Sequence, residues 1–420
     1  MKEEIIRISE KAFIHILKTD KFKSNIIAAF LLTDLEKDEI TKNALIPAVL
    51  RRGTSKLQTM KDIAMKMNDM YGALFDASTD KIGDKQSMQF YISCIDNKYA
   101  LENEELFLES LNFLYDVIYS PKTVDGIFDE EYVAQEKETL RELIKSKINN
   151  KAAYANFRAL ETMFKDDAYG IFKYGREEDL DGIDAENLYE QYIKVLSESE
   201  KHFYIAGDVN IEKIKGFFYG KFGKSDFTEK KIIRTKKSKL SDEEVKVVDN
   251  MEVTQGKLVL GYDVDIELTP KNFYKMTMYN AILGGSSNSK LFQNVREKAS
   301  LAYTTRSTYL KHKGVLLVTA GIELDKYDEA LELIKIQVED MKKGNFTDED
   351  VRDAKVFLEN IFTSCLDDEM TMIELSISQF VLGINDTIEE MIENIKKVTK
   401  KDIVEVANKL RPVVNYYLTK

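Results

Sequence analysis

With three histidines and two cysteines, the chain has few ways to build a nucleophile or a metal site. His15 lies in the strand-like run 13–17, His202 just before the strand-like run 203–205, and His312 in a lysine-flanked turn. No two stand at i, i+3 or i, i+4, the spacing that puts two imidazoles on one helix face for a zinc ion. All three read as structural or surface positions. No G-x-S-x-G elbow occurs, and neither Cys94 nor Cys365 has a histidine nearby in sequence to act as a base. The segment Gly284-Gly285-Ser286-Ser287-Asn288-Ser289-Lys290 lacks the Gly-Lys-Ser/Thr ending that carries a lysine to phosphate groups.

Around these sparse groups the composition is that of a soluble globular protein: 420 residues, 44% hydrophobic and 32% charged. Such a length suggests two or three domains, because single cores stop growing well before it. The formal net charge of -12 argues against nucleic acid as a partner, since an acidic surface repels a phosphate backbone. No stretch reaches the roughly 18 apolar residues that a membrane span needs, and the run 26–32 has strand length. The start, Met1-Lys2-Glu3-Glu4, carries acids and no apolar segment, and two isolated thiols suit a reducing compartment. A cytoplasmic protein with no membrane partner is expected.

The elements that must position a site come in two sets. A strand-like stretch, Ile92-Ser93-Cys94-Ile95, runs into Asp96-Asn97-Lys98-Tyr99 and then a helix with Leu106, Leu108, Leu111, Leu114 and Val117 on its apolar side. The same series recurs at Val318-Thr319-Ala320-Gly321-Ile322, then Asp325-Lys326-Tyr327, then Ala330, Leu331, Leu333, Ile334 and Val338. Phe128-Asp129-Glu130-Glu131 opens a helix and is echoed by Phe346-Thr347-Asp348-Glu349, each a capping residue followed by acids. A period of roughly 220 residues is too long for a solenoid and reads as two duplicated domains. The boundaries expected are a first half over 1–227, a linker over 228–250 and a second half over 251–420. The linker's basic run, Lys230, Lys231, Arg234, Lys236, Lys237 and Lys239, reads as a solvated segment rather than a site for an anionic partner. Thr269 with Pro270 starts a second-half helix that ends at Gly284-Gly285. Strands grouped with helices predict an α+β class, each half a mainly antiparallel sheet covered by helices on one face.

One segment stands out: Ser289-Lys290-Leu291-Phe292-Gln293-Asn294-Val295-Arg296-Glu297-Lys298-Ala299-Ser300-Leu301-Ala302-Tyr303, directly after the glycine pair. It resembles the second-half signature of the pitrilysin/insulinase family of inverted zinc metallopeptidases, S-R-L-F-x-x-V-R-E-K-x-G-L-A-Y. Lys290 stands where arginine is common and Ser300 where glycine is. Gly207-Asp208-Val209 is similar to a family turn at the end of the first half, and the duplicated halves extend the likeness over nearly the whole chain. Active members carry H-x-x-E-H followed by Gly-Thr. Here Gly53-Thr54 is kept, but Ala44 and Ala48 stand at the two zinc histidines and Pro47 at the general base. None of these offers a ligating or proton-accepting side chain. Leu143 falls at the third ligand, beside Glu142, while Glu136 keeps the family's other acid. Pro47 costs about 3 kcal/mol in a helix interior unless it sits in the first turn.

The resemblance therefore implies a chain that binds no zinc and hydrolyses nothing alone. In the family an arginine and a tyrosine seven residues later reach a zinc site, and Arg296 with Tyr303 matches that pair. The tyrosine stabilises the oxyanion and the arginine orients the peptide, with Gly284, Gly285 and Ser286 as substrate-binding candidates. Read without the family, Arg296 pairs with surface acids and Tyr303 packs in a strand. Some bacterial members are heterodimers, which implies a homologous partner carrying H-x-x-E-H and zinc, with a peptide substrate. The alternative is a non-enzymatic scaffold or peptide-binding protein of the same fold.

Overall fold

The computed structural model describes residues 3–101, 104–223 and 237–420. In chain order the elements are β1 (Glu4–Ser9), β2 (Ala12–Lys18), β3 (Ser24–Asp34), α1 (Ile40–Leu50), α2 (Met60–Asp69), β4 (Leu74–Ile82), β5 (Lys85–Ile95), α3 (Leu106–Tyr119), α4 (Glu130–Ser146), α5 (Lys151–Met163), α6 (Ala185–Glu198), β6 (Glu200–Gly207) and α7 (Ile211–Phe222). Then come β7 (Val245–Asn250), β8 (Gly256–Val264), α8 (Pro270–Asn280), β9 (Ala302–Leu310), β10 (Val315–Ile322), α9 (Tyr327–Lys343), α10 (Asp348–Ser364), α11 (Glu369–Leu382), α12 (Ile388–Lys397), α13 (Lys400–Ala407) and β11 (Leu410–Thr419).

Two sheets carry the α+β architecture. The first runs β1-β2-β6-β3-β5-β4 and the second β7-β11-β8-β10-β9. From β2 onward the two follow one plan: a parallel pair (β2 with β6, β7 with β11), then antiparallel neighbours to the edge. The central strands β3 and β8 are buried almost end to end, which is why their sequences are continuous apolar runs rather than alternating ones. Helix starts follow the capping residues. Asp129 Oδ1 accepts from the Glu131 amide at 3.0 Å ahead of α4, and Thr347 forms a reciprocal capping box with Asp350 ahead of α10.

The chain divides into two compact units. The first comprises the described residues of Met1–Lys145, Ile171–Ile232 and Leu366–Ser378, and the second those of Ser146–Gly170, Ile233–Cys365 and Gln379–Lys420. Each unit thus takes one segment from the other half of the sequence, so a boundary drawn along the chain does not trace the units. In unit 2 the borrowed helix α5 buries Ala155, Ala159 and Met163 with Val259, Leu317 and Val414 of the sheet. Lys230, Lys231, Arg234 and Lys236 lie outside the described residues. The end of the segment read as linker, 245–250, is the edge strand β7; its outward lysine and mostly open face hide the strand signal.

Unit 1 also brings together two histidines that sequence spacing keeps apart. In parallel strands β2 and β6, His15 Nε2 lies 3.0 Å from His202 Nδ1, and both rings are fully buried. Glu3 Oε1 holds His15 Nδ1 at 2.6 Å, and Ser376 Oγ donates to Glu3 Oε2 at 2.8 Å. His15 stacks on Tyr204, His202 on Phe13, and Glu200 lies 3.7 Å beyond His202. Burial lowers the pKa of both imidazoles, that of His202 to about 4, against the pull of Glu3 and Glu200. A base whose folded pKa lies below its unfolded value costs nothing above pH 6.5. As pH falls below that, the unfolded chain takes up a proton that the folded chain refuses. Stability should therefore fall by about 1.4 kcal/mol per pH unit between about pH 6.5 and 4 from His202 alone. Urea unfolding across that range checks this. His202→Gln should flatten the slope, and an unchanged slope would contradict it.

Candidate functional site

In unit 1, α1 is buried on most of its surface, including Ala44 and Pro47. Pro47 sits inside the helix, past the first turn, and the helix continues through it, with the Arg51 amide on the Pro47 carbonyl at 3.2 Å. The interior cost of a proline therefore applies here, because its ring takes away the N–H that would bond the Asn43 carbonyl. Gly53-Thr54 closes the following loop: the Thr54 amide bonds Leu57 O at 2.7 Å, and Thr54 Oγ1 accepts from the Leu57 amide at 3.0 Å.

The buried acid beside the end of α1 is already paired. Glu136 on α4 is 3% exposed and takes its ion pair from Arg52, one turn beyond Ala48 at the end of α1. The Arg52 guanidinium also lies 5.5 Å from the centre of the Tyr132 ring. Leu143 is 43% exposed on the same helix. Ala44, Pro47, Ala48 and Leu143 present only hydrocarbon, so these residues do not fit a zinc ion. Among the described residues no three His, Cys, Asp or Glu side chains gather in a way that would hold a metal. Cys94 and Cys365 are both free thiols.

In unit 2 the signature folds as a helix, a wide-turned extension and an edge strand. Thr269 caps α8, accepting from the Asn272 amide, with Pro270 at its start as expected. The helix runs past Asn280 into a looser turn over Ala281–Gly285. A side-chain carbon at Gly284 would sit 2.5 Å from the Ser307 amide of β9, so glycine here lets the turn close against the strand. Ser286 Oγ donates to the Ala281 carbonyl at 3.2 Å. Gly284 and Ser286 thus have packing roles of their own.

A second wide-turned helical stretch, Phe292–Lys298, carries Arg296. Its guanidinium stands 4.7 Å from the Phe292 ring centre and 3.5 Å from Glu297. That half-exposed ion pair is weak and leaves the group open to solvent. The stretch ends in a left-handed residue, Ser300, with φ of 54°. The Ser300 amide returns to Arg296 O at 3.1 Å and the Leu301 amide to Val295 O at 3.0 Å, a pairing that favours glycine in the left-handed place. A side chain in that left-handed place costs about 1–2 kcal/mol, which glycine would avoid.

After that turn the chain enters β9, paired on one side only, with β10. Ala302 faces inward. Tyr303 does not pack in the strand: it is 59% exposed, and its hydroxyl donates to Glu323 Oε1 at 3.1 Å. The Glu323 carboxylate raises the phenol above its ordinary pKa, so at neutral pH the group is a hydrogen-bond donor. Among the described residues no hydrogen bond joins Arg296 to Tyr303; each has its own neighbours.

A duplicated α+β chain whose first half has lost the ligating residues, and whose second half keeps the signature, defines an inactive-type relative of the inverted zinc metallopeptidases. The family model described as the peptidase M16 inactive domain matches residues 182–357. A Bacillus subtilis protein named "Probable inactive metalloprotease YmfF" is 33% identical over 407 residues, covering 96% of this chain and 95% of its own. A conserved protein from Enterococcus faecalis shares the fold with a TM-score of 0.89 at 24% identity, over 100% of this chain and 99% of that one. A peptidase M16 inactive domain from Pseudomonas fluorescens does so with 0.78 at 14%, over 100% and 98%. The chain belongs to the pitrilysin/insulinase (M16) family. No helix among its described residues is long and apolar enough to cross a membrane.

Proposed function

We propose that this chain is the non-zinc-binding subunit of a heterodimeric zinc metallopeptidase and supplies Arg296 and Tyr303 to peptide-bond hydrolysis at a site whose metal a partner chain holds. The observation that carries this reading is Tyr303: a protonated phenol held out of the core at the end of an edge strand. In a peptidase it donates a hydrogen bond to the oxygen that gains charge when the scissile carbonyl becomes tetrahedral. Arg296, half-exposed and weakly paired, binds the peptide backbone. The partner is a homologous chain carrying H-x-x-E-H, the substrate is a peptide, and this chain binds no cofactor itself. Two free thiols support a reducing, cytoplasmic setting.

Native mass spectrometry with zinc analysis on tagged protein recovered from its own cells tests the proposal. A one-to-one complex with a chain of similar size, carrying one zinc that this chain lacks alone, is expected. A metal-free assembly of this chain with no second chain, at every salt concentration tried, would replace the proposal with the scaffold reading.

A further inference from the structure

Unit 2 holds an open groove of about 780 Å³ between the start of α5 and the segment leading into β8, lined by Asn150, Lys151, Glu252, Thr254, Gln255 and Lys257 among others. Its lysines lack counter-charges. Lys257 reaches only the Gln255 side-chain oxygen, and Lys151 only the Met251 sulfur at 3.9 Å; among the described residues no carboxylate lies within ion-pair distance of either. Glu252, the acid in the lining, is exposed and forms no ion pair with them. In a chain with a net charge of -12, these two ammonium groups face one groove without an acid partner among the described residues and are open to an anion. Burial also lowers the pKa of Lys257, as expected for an ammonium with only a neutral acceptor.

The groove adjoins the end of the sheet that carries Tyr303. Gly256 pairs with Ile322, and Ile322 with Ala302. A side-chain carbon at Gly321 would meet Gln255 Oε1 at 2.8 Å and Thr304 Oγ1 at 2.9 Å, so the groove wall and the residue after Tyr303 lie against the same glycine.

We infer that this groove binds a carboxylate of the peptide, with Lys151 and Lys257 as its counter-charges and Thr254 and Gln255 as polar neighbours. The inference rests on the peptide reading of Tyr303 and adds a substrate class to it: peptides that present an acid beside the scissile region. An ammonium pair without acids gains charge-assisted hydrogen bonds from such a group, whereas a neutral peptide end offers it nothing comparable. The carboxylate is either the peptide's own C-terminus or an Asp or Glu side chain.

The test is fluorescence anisotropy of the full chain with a labelled Ala/Ser/Phe peptide bearing a free C-terminus, its amidated twin, and an amidated twin with an internal glutamate. The free acid is expected to bind roughly tenfold more tightly than the plain amide, the worth of one hydrogen-bonded charge. Lys257→Met and Lys151→Met should each erase most of that preference, and Lys257→Arg should keep it. Tight binding of the glutamate-bearing amide would assign the site to a side chain, and its weak binding would assign it to the terminus. Equal binding of the free acid and the plain amide overturns the groove assignment while leaving the Tyr303 reading to its own turnover test. Binding of no peptide overturns the groove assignment as well, and the co-purification result then decides the subunit reading independently.

Discussion

If the proposed heterodimer is the working enzyme, Tyr303→Phe is expected to lower its turnover by roughly 10²–10³-fold, the usual effect of removing one donor from an oxyanion site. The change deletes a single hydroxyl and leaves the ring. Because that ring is already mostly in solvent, folding and partner affinity should not move. The loss should fall on kcat with KM little changed, since the oxygen gains its charge only in the transition state. Glu323→Gln is the companion variant. It removes the carboxylate that accepts the phenol's hydrogen bond in the free chain, yet leaves the donor in place, so its effect should be small beside that of Tyr303→Phe. Full turnover in Tyr303→Phe would show that the phenol plays no part in the chemistry.

The elements around this site were largely legible because their signals are local. Thr269-Pro270 announces α8, Asp129 and Thr347 announce α4 and α10, and the strand-turn-helix series at 92–117 recurs at 318–338 as β5 with α3 and β10 with α9. The hydrocarbon side chains at Ala44, Pro47, Ala48 and Leu143 are read from identities alone. What escaped depends on partners far apart in the chain. His15 and His202 meet across 187 residues, through a parallel pairing of β2 and β6 that no spacing rule anticipates. The transfer of 146–170 into unit 2 and of 366–378 into unit 1 is likewise a packing outcome. α5 is amphipathic wherever it docks, and its sequence does not say onto which sheet. The wide turns around Gly284 and Arg296, and the left-handed Ser300 that ends the second of them, also gave no cue.

Arg52→Ala should be the most destabilising single change around the end of α1. Removing the guanidinium leaves Glu136 in a place that is 3% exposed, with its ion-pair partner gone and little access to water. Breaking a buried pair from one side costs about 3–5 kcal/mol, because the surviving charge keeps its desolvation penalty. The contact of Arg52 with the Tyr132 ring is lost as well. Arg52→Lys should restore only part of the stability, since an ammonium lacks the planar fork that meets a carboxylate and lies flat on an aromatic face. Replacing both partners, Arg52→Met with Glu136→Leu, should by contrast come out near neutral, since neither charge is then left to be desolvated. Urea unfolding of the three variants separates these cases. If Arg52→Ala and the double variant lost the same stability, the region would be held by packing alone. If only the single variant fell, the buried Glu136 would depend on Arg52 for its counter-charge.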